Sequence, residues 1–343
     1  MVTSGSVFRW RRCRGTDSDC WNDGAVSIAS WLSNLSVPEP ISGDDLDDLR
    51  HDLDRAAVDA LAPWRDTIGR DALPLRLPKS RLAQLQRCQR STVASHRRPT
   101  DDPPSTSMLR GVALDHFVAH QLVAGRVREP LADLTSMLEA AGDWATLAVL
   151  DEMDVAEAEA LVAPLTSAVA DAWAGIGADW APRVQSRASL VLADDGCVCA
   201  GMLDVELGGP GTTRPGVLLE VKSGSVSSQH PAEVYLYALL VAMRDRVAPA
   251  VVARWYPDGD PAGLVVTMGV LDAAARRLVD GLATWAELVA GATPTETPGP
   301  WCSWCVDATT CPSSTAGSGT DTSGDSVDGG PQPLDDHGDD DGW

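Results

Sequence analysis

Apolar residues recur along the chain at two different periods, and the change of period divides it. From Ser42, leucines at 46, 49, 53 and 61 with Val58 keep the spacing of one helix face, behind an N-cap serine and first-turn acids. Asp71–Pro78 has no sustained pattern and is predicted to be a linker. Ser80 is predicted to cap a helix through Cys88, with Leu82 and Leu85 on one face and Cys88 three positions further along it. Another helix is expected from Gly111, with Leu114, Phe117, Val118 and Leu122 buried and His116 near the border of that face. Residues 131–149 and 152–178, rich in Ala and Leu, predict two more helices.

From Arg183 the period shortens to two. Ser186–Ala193 and Val198–Leu207 predict a hairpin around Asp194-Asp-Gly196, and Val217–Lys222 the next strand. A helix over Pro231–Arg244 follows, then strands at Ala250–Tyr256 and Gly263–Met268 and an amphipathic helix over Leu271–Ala290. Helix, three strands, helix and strand, in that order, imply an α/β domain with a mixed central sheet flanked by helices.

Chemistry concentrates in one part of this pattern, residues 201–222. Side chains alternate along a strand, so Glu220 and Lys222 share one face while Leu219 and Val221 share the other. Asp204 lies in the preceding strand, where pairing brings its carboxylate beside Glu220. Two carboxylates and an amine on one sheet face suit a hard divalent cation and a polarised water. Of the 27 basic residues only two are lysines, Lys79 and Lys222. In a chain that otherwise uses arginine, a lysine inside an apolar strand points to chemistry that a guanidinium does not serve.

Charge narrows the partners. The net charge is −22, and the segment Ser313–Trp343 holds eight Asp with no Lys or Arg, which leaves −14 for the rest. That tail lacks an apolar period and is expected to be disordered. A basic footprint spread over the whole chain is excluded, so nucleic-acid contacts would use local patches such as Arg9–Arg14 or Lys79–Arg98. No stretch is long and apolar enough to span a bilayer, and no secretory signal is expected. Cytoplasmic residence follows, where clustered cysteines point to metal more than to disulfides.

Trp301-Cys302-Ser-Trp-Cys305-Val-Asp-Ala-Thr-Thr-Cys311-Pro312 sets three cysteines close together. A CxxC turn lets two thiolates reach one centre and a third can join, but a closed set needs a fourth ligand from elsewhere. Cys197 and Cys199 share a strand face and read as core. Cys88 and His116, taken alone, fit either a buried structural role or a ligand role. Cys13 and Cys20 carry no assignment.

Together these features resemble the PD-(D/E)XK nuclease superfamily. Asp204…Glu220-Val-Lys222 is similar to its signature, and the element order to its restriction-endonuclease-like core. Gly111…His116 resembles the upstream helical histidine of the RecB-like branch, and Glu233-Val-Tyr-Leu-Tyr237 sits where that branch carries Gln-x-x-x-Tyr, with Glu233 in place of the Gln. Leu77-Pro-Lys-Ser-Arg-Leu…Leu85…Cys88 with Cys302, Cys305 and Cys311 resembles the four-cysteine set of members with an iron–sulfur cluster, such as CRISPR-adaptation exonucleases and end-resection nucleases. The resemblance divides the chain into an N-terminal extension (1–76), a RecB-like nuclease domain (77–312) and the acidic tail (313–343).

The resemblance implies a DNA exonuclease acting on single-stranded or duplex ends in repair, recombination or defence. His116, Asp204, Glu220 and the Val221 carbonyl would hold Mg²⁺ or Mn²⁺. Lys222 would orient or deprotonate the attacking water, while Tyr237 and Glu233 position the strand. Cys88, Cys302, Cys305 and Cys311 would hold a [4Fe-4S] cluster of structural role. No GxxxxGK[ST] loop is present, so a helicase or another nuclease-complex subunit would act as a separate partner. The competing expectation is a non-catalytic scaffold that binds DNA through the same sheet.

Overall fold

A six-stranded mixed sheet forms the centre of the computed structural model, which describes residues 26–69, 73–98, 104–224 and 230–314. The Arg9–Arg14 patch, Cys13, Cys20 and the acidic segment from 315 onward lie outside the described residues. The strands are β1 (Leu75–Pro78), β2 (Arg183–Leu192), β3 (Cys197–Leu207), β4 (Val217–Val221), β5 (Val251–Trp255) and β6 (Ala262–Val265). The helices are α1 (Ile28–Ser33), α2 (Gly43–Leu61), α3 (Arg65–Ile68), α4 (Lys79–Arg87), α5 (Gln89–Arg97), α6 (Thr106–Val123), α7 (Pro130–Ala141), α8 (Trp144–Glu152), α9 (Val155–Ala172), α10 (His230–Asp245) and α11 (Met268–Val289). The expected mixed α/β architecture, with helices on both sheet faces as in a restriction-endonuclease-like core, is the one observed.

Each face of the sheet has its own apolar layer. On one side Leu190, Cys197, Cys199, Leu218 and Val252 pack against α2, α4, α10 and α11. On the other, Val205, Val217, Leu219, Val221 and Trp255 pack against α1 and α6–α9. β4 is buried at all five positions, as expected for a strand covered on both faces. The α2 stripe is the expected one: Ser42 accepts the amide of Asp45, and Leu46, Leu49, Leu53 and Leu61 are buried in the first layer. Cys197 and Cys199 are buried core, and burial pushes the Cys197 thiol up to about 12 and Cys199 up as well.

Several local expectations change. The predicted linker contains β1, a four-residue strand that pairs in parallel with Cys197–Ala200 of β3. Two apolar residues make too short an alternation to register as a strand; the β3 edge supplies what the local pattern lacks. The helix at 131–149 is two helices, because Gly142 takes the left-handed conformation that ends α7 and Asp143 caps α8. α6 begins at Thr106 behind the cap Ser105, and the helix predicted at 152–178 is α9, which starts behind the cap Asp154 and ends at Ala172. Cys88 is not helical. Its extended backbone (φ −161°, ψ 115°) ends α4 and begins α5.

β2 runs antiparallel along one edge of β3 for nearly its whole length. The other edge is shared by two strands. β1 pairs there in parallel with Cys197–Ala200, and β4 antiparallel with Val205–Leu207. The C-terminal ends of β1 and β4 therefore point at each other, and Gly201–Asp204 lies in the gap between them.

Candidate active site

The gap between β1 and β4 gathers the charge. Continuing the β3–β4 register past Val205↔Leu219 sets Asp204 opposite Glu220, as strand pairing predicted. Asp204 Oδ2 accepts the Val221 amide at 2.7 Å, which fixes the carboxylate against the end of β4. Glu220 Oε1 accepts Lys222 Nζ at 2.7 Å and, from the start of α4, Lys79 Nζ at 2.7 Å. Lys79 follows β1 directly, so the head-to-head meeting of β1 and β4 is what delivers both lysines to one oxygen.

α10 closes the group from above the sheet face. Glu233 Oε2 lies 3.3 Å from Lys222 and 3.9 Å from Lys79. Tyr237, one turn further on, donates its hydroxyl to the Met202 carbonyl and places its ring 4.7 Å from Lys79 Nζ. The tyrosine lies flat against β3 because residue 201 is glycine; a Cβ there would stand 2.6 Å from Tyr237 Cε1. Arg254 pairs with Glu220 in the parallel β4–β5 register and shares its face; its buried Nη1 has no hydrogen-bond partner.

The strand pair carries a local break at this point. Gln185, aligned with Asp204 between the pairs Val184↔Val205 and Ser186↔Leu203, has φ 47° and drops out of the ladder. Leu203 packs in the first apolar layer and Val205 in the second, although an unbroken strand would turn both the same way. Asp204 and Glu206 accordingly both contact groups of the first layer.

Burial governs the electrostatics. It pushes the Asp204 carboxyl up to about 7, with the Glu220 charge adding to the effect while Lys79, Lys222 and the Val221 amide oppose it. Burial also raises Glu220, but Lys222 and Lys79 outweigh it and hold that carboxyl down at about 2. Both lysines resist the lowering effect of burial because Glu220 and its neighbours raise them, so both are ammonium groups at neutral pH. Burial, then Glu220 and Asp204, raise the Tyr237 phenol, which stays a neutral donor.

The donor set suits a hard cation in its chemistry. Asp204 and Glu220 are adjacent carboxylates, and Glu220 Oε2 and Glu233 Oε2 are buried without hydrogen-bond partners. Among the described residues no three His, Cys, Asp or Glu side chains converge on a point able to hold one ion. His116 lines a cleft of about 450 Å³ with Asp115, Asp143 and Gln185, the residue aligned with Asp204. The structure thus brings together Asp204, Glu220, Val221, Lys222, Glu233 and Tyr237. It adds Lys79 and Arg254, which the sequence reading did not place here. For Lys79 a signal existed: it is the other lysine of the chain.

A second site lies at the far end of α4. Cys88, Cys302, Cys305 and Cys311 line one small cavity with Arg90, Glu296 and Trp301. Arg90 binds Glu296 at 2.5 Å and approaches Asp307 at 3.5 Å, and its amide donates to the Thr295 carbonyl at 3.2 Å. Arg98 also pairs with Asp307. These contacts fasten α5 to the segment that carries the last three cysteines. Four thiols on one cavity, drawn from distant parts of the chain, match the donor set of a [4Fe-4S] cluster. Such a cluster takes one thiolate per iron, so its ligands surround a volume and need not meet at a point.

No family model matches the chain, and no curated protein matches it. Among solved structures it is similar to a candidate exonuclease from Eubacterium rectale, at 13% identity and TM-score 0.45, over 68% of this chain and 87% of that one. It is also similar to the protein SSO0001, at 14% identity and TM-score 0.28, over 60% of this chain and 96% of that one. Likenesses this low carry no argument about function, which is read instead from the side chains of the site.

Proposed function

We propose that the chain is a metal-dependent nuclease that hydrolyses DNA from strand ends. The observation that supports this reading is the buried group in the β1–β4 gap, where Asp204 lies beside Glu220 and two lysines reach one carboxylate oxygen. A structural ion pair needs one lysine; two lysines among three carboxylates, with Glu220 Oε2 buried and without a hydrogen-bond partner, match a site that handles both a cation and a phosphate.

Asp204 and Glu220 would hold Mg²⁺ or Mn²⁺, which supplies a polarised phosphate oxygen and a bound water of lowered pKa. Lys222, held as an ammonium, orients that water and offsets the negative charge that grows on the phosphoryl oxygens. Water adds at phosphorus, the bond to the leaving sugar oxygen breaks, and that oxygen takes up a proton. Tyr237 and Glu233 position the strand from α10, and Arg254 is placed to meet a phosphate oxygen on the same sheet face. Cys88, Cys302, Cys305 and Cys311 would hold a [4Fe-4S] cluster, which would link α5 to the segment that carries the last three cysteines. A helicase or another nuclease-complex subunit is the partner class this activity calls for.

Labelled single-stranded and duplex DNA, incubated with Mn²⁺ and the anaerobically purified protein, tests the reading. Cleavage by the wild type that disappears in Lys222→Ala supports it, and turnover that survives in that variant sinks it. One observation favours a non-catalytic scaffold instead: both lysines already occupy the Glu220 oxygen that faces the site. Binding of DNA without cleavage in the same assay would select that reading.

A further inference from the structure

Lys79 is the member of the β1–β4 group that the proposed chemistry leaves without a task. It enters from α4, lies 2.7 Å from Glu220 Oε1 and 3.9 Å from Glu233 Oε2, and is steadied by the Tyr237 ring 4.7 Å away. Its side chain is 17% exposed against 11% for Lys222, so it lies on the more open side of the pair. Two ammonium groups therefore face Glu220 and Glu233, with Asp204 held beside them through the Val221 amide.

We propose that Lys79 is a positioning residue of the nuclease site, offsetting Glu233 so that the site releases Glu220 to its metal ion at a moderate affinity and still admits a phosphate. This inference rests on the nuclease reading above. The physics is a competition of charge. An ammonium 2.7 Å from a ligand oxygen competes with a divalent ion for that oxygen, so it weakens metal binding. The same positive charge attracts the phosphodiester. Removing it makes the group more negative by one unit, which favours the cation and disfavours the anion. A lysine that merely props up the fold would move both quantities in the same direction, through loss of structure.

The experiment measures Mn²⁺ affinity by the paramagnetic resonance signal of free Mn²⁺, and cleavage of end-labelled single-stranded DNA at saturating Mn²⁺. It uses the full chain as wild type, Lys79→Met, Lys79→Arg and the double variant Lys79→Met with Glu233→Gln. In Lys79→Met, Mn²⁺ should bind about tenfold more tightly while turnover falls about 10²-fold. The double variant, in which the lost positive charge is matched by a lost negative one, should return the Mn²⁺ affinity toward wild type. Lys79→Arg keeps the charge and should keep the wild-type Mn²⁺ affinity. Weaker Mn²⁺ binding in Lys79→Met, unchanged turnover in that variant, or a double variant whose Mn²⁺ affinity is no nearer wild type than the single one overturns the proposal. If Lys79→Met fails to fold, the charge-balanced double variant and Lys79→Arg decide it: both must keep the wild-type Mn²⁺ affinity. A wild type that binds Mn²⁺ but cuts no DNA refutes the nuclease reading, while the affinities still report whether Lys79 offsets Glu233. A wild type that binds no Mn²⁺ overturns both.

Discussion

Lys79 and Lys222, 143 positions apart and the only lysines of the chain, each place Nζ 2.7 Å from the same oxygen, Glu220 Oε1. β1 and β4 run into each other along one edge of β3, and each lysine is the first residue beyond its strand. The position of the site is thus a consequence of sheet topology.

Lys222→Ala and Asp204→Ala should each lower DNA cleavage at least about 10²-fold, because the first removes the positive charge that offsets the growing negative charge and the second removes a proposed metal ligand. Unfolding midpoints measured beside the nuclease assay separate this from collapse. Cleavage within twofold of wild type in either variant would reject the site.

Gly201→Ala should damage the site from a position that carries no functional group. The new methyl would meet the Tyr237 ring, which is buried and bound to the Met202 carbonyl. Forcing the ring off β3 should cost about 1–3 kcal/mol of stability and reduce cleavage. Gly259→Ala, with no atom within 4 Å of its added Cβ, is the control and should match wild type in a urea titration.

The four-cysteine cavity predicts a brown protein when purified without oxygen. Cys88→Ser and Cys305→Ser should each lose the visible absorption and the iron, whereas Cys199→Ser, buried in the core and away from the cavity, should keep both. A colourless wild type carrying stoichiometric zinc would exclude the cluster.

Acid should weaken the fold through Glu206. Burial raises this carboxyl, but Arg244, Ser186 and Arg183 outweigh it and hold it at about 2, against an ordinary value of 4.5. A depressed folded-state value contributes stability at pH above 4.5 and loses it as pH falls toward about 2. The contribution is on the order of 3 kcal/mol at neutral pH. Urea unfolding of wild type and Glu206→Gln should therefore differ most at pH 7 and converge toward pH 3. A gap that stays constant with pH would show that the charge of Glu206 is not what matters.

Much of the fold was legible because its elements are strongly periodic. The β2–β3 hairpin, the buried β4 and α10 each carry a pattern that local sequence sets without help. Asp204 and Glu220 were legible for the same reason, since alternation and one hairpin bring them together. The break at Cys88 and the split at Gly142 were not, because an extended residue between helices and a left-handed glycine within an Ala- and Leu-rich run leave the average periodicity almost unchanged. β1 was missed for another reason: four residues are stabilised by an edge made more than 100 positions later.

By itself the sequence determined the long periodic helices and strands, that Cys197 and Cys199 are core, and that Glu220 and Lys222 share a face with Asp204 nearby. Those properties depend on neighbours within a strand, a helical turn or one hairpin. Tertiary structure alone decided that β1 and β4 meet end to end on β3, that Lys79 joins Lys222 on Glu220, and that Arg254 shares their sheet face. These outcomes turn on which free edge a short strand takes and which sheet face a helix covers. Both are settled by the total apolar area buried, a quantity that no local window of sequence contains.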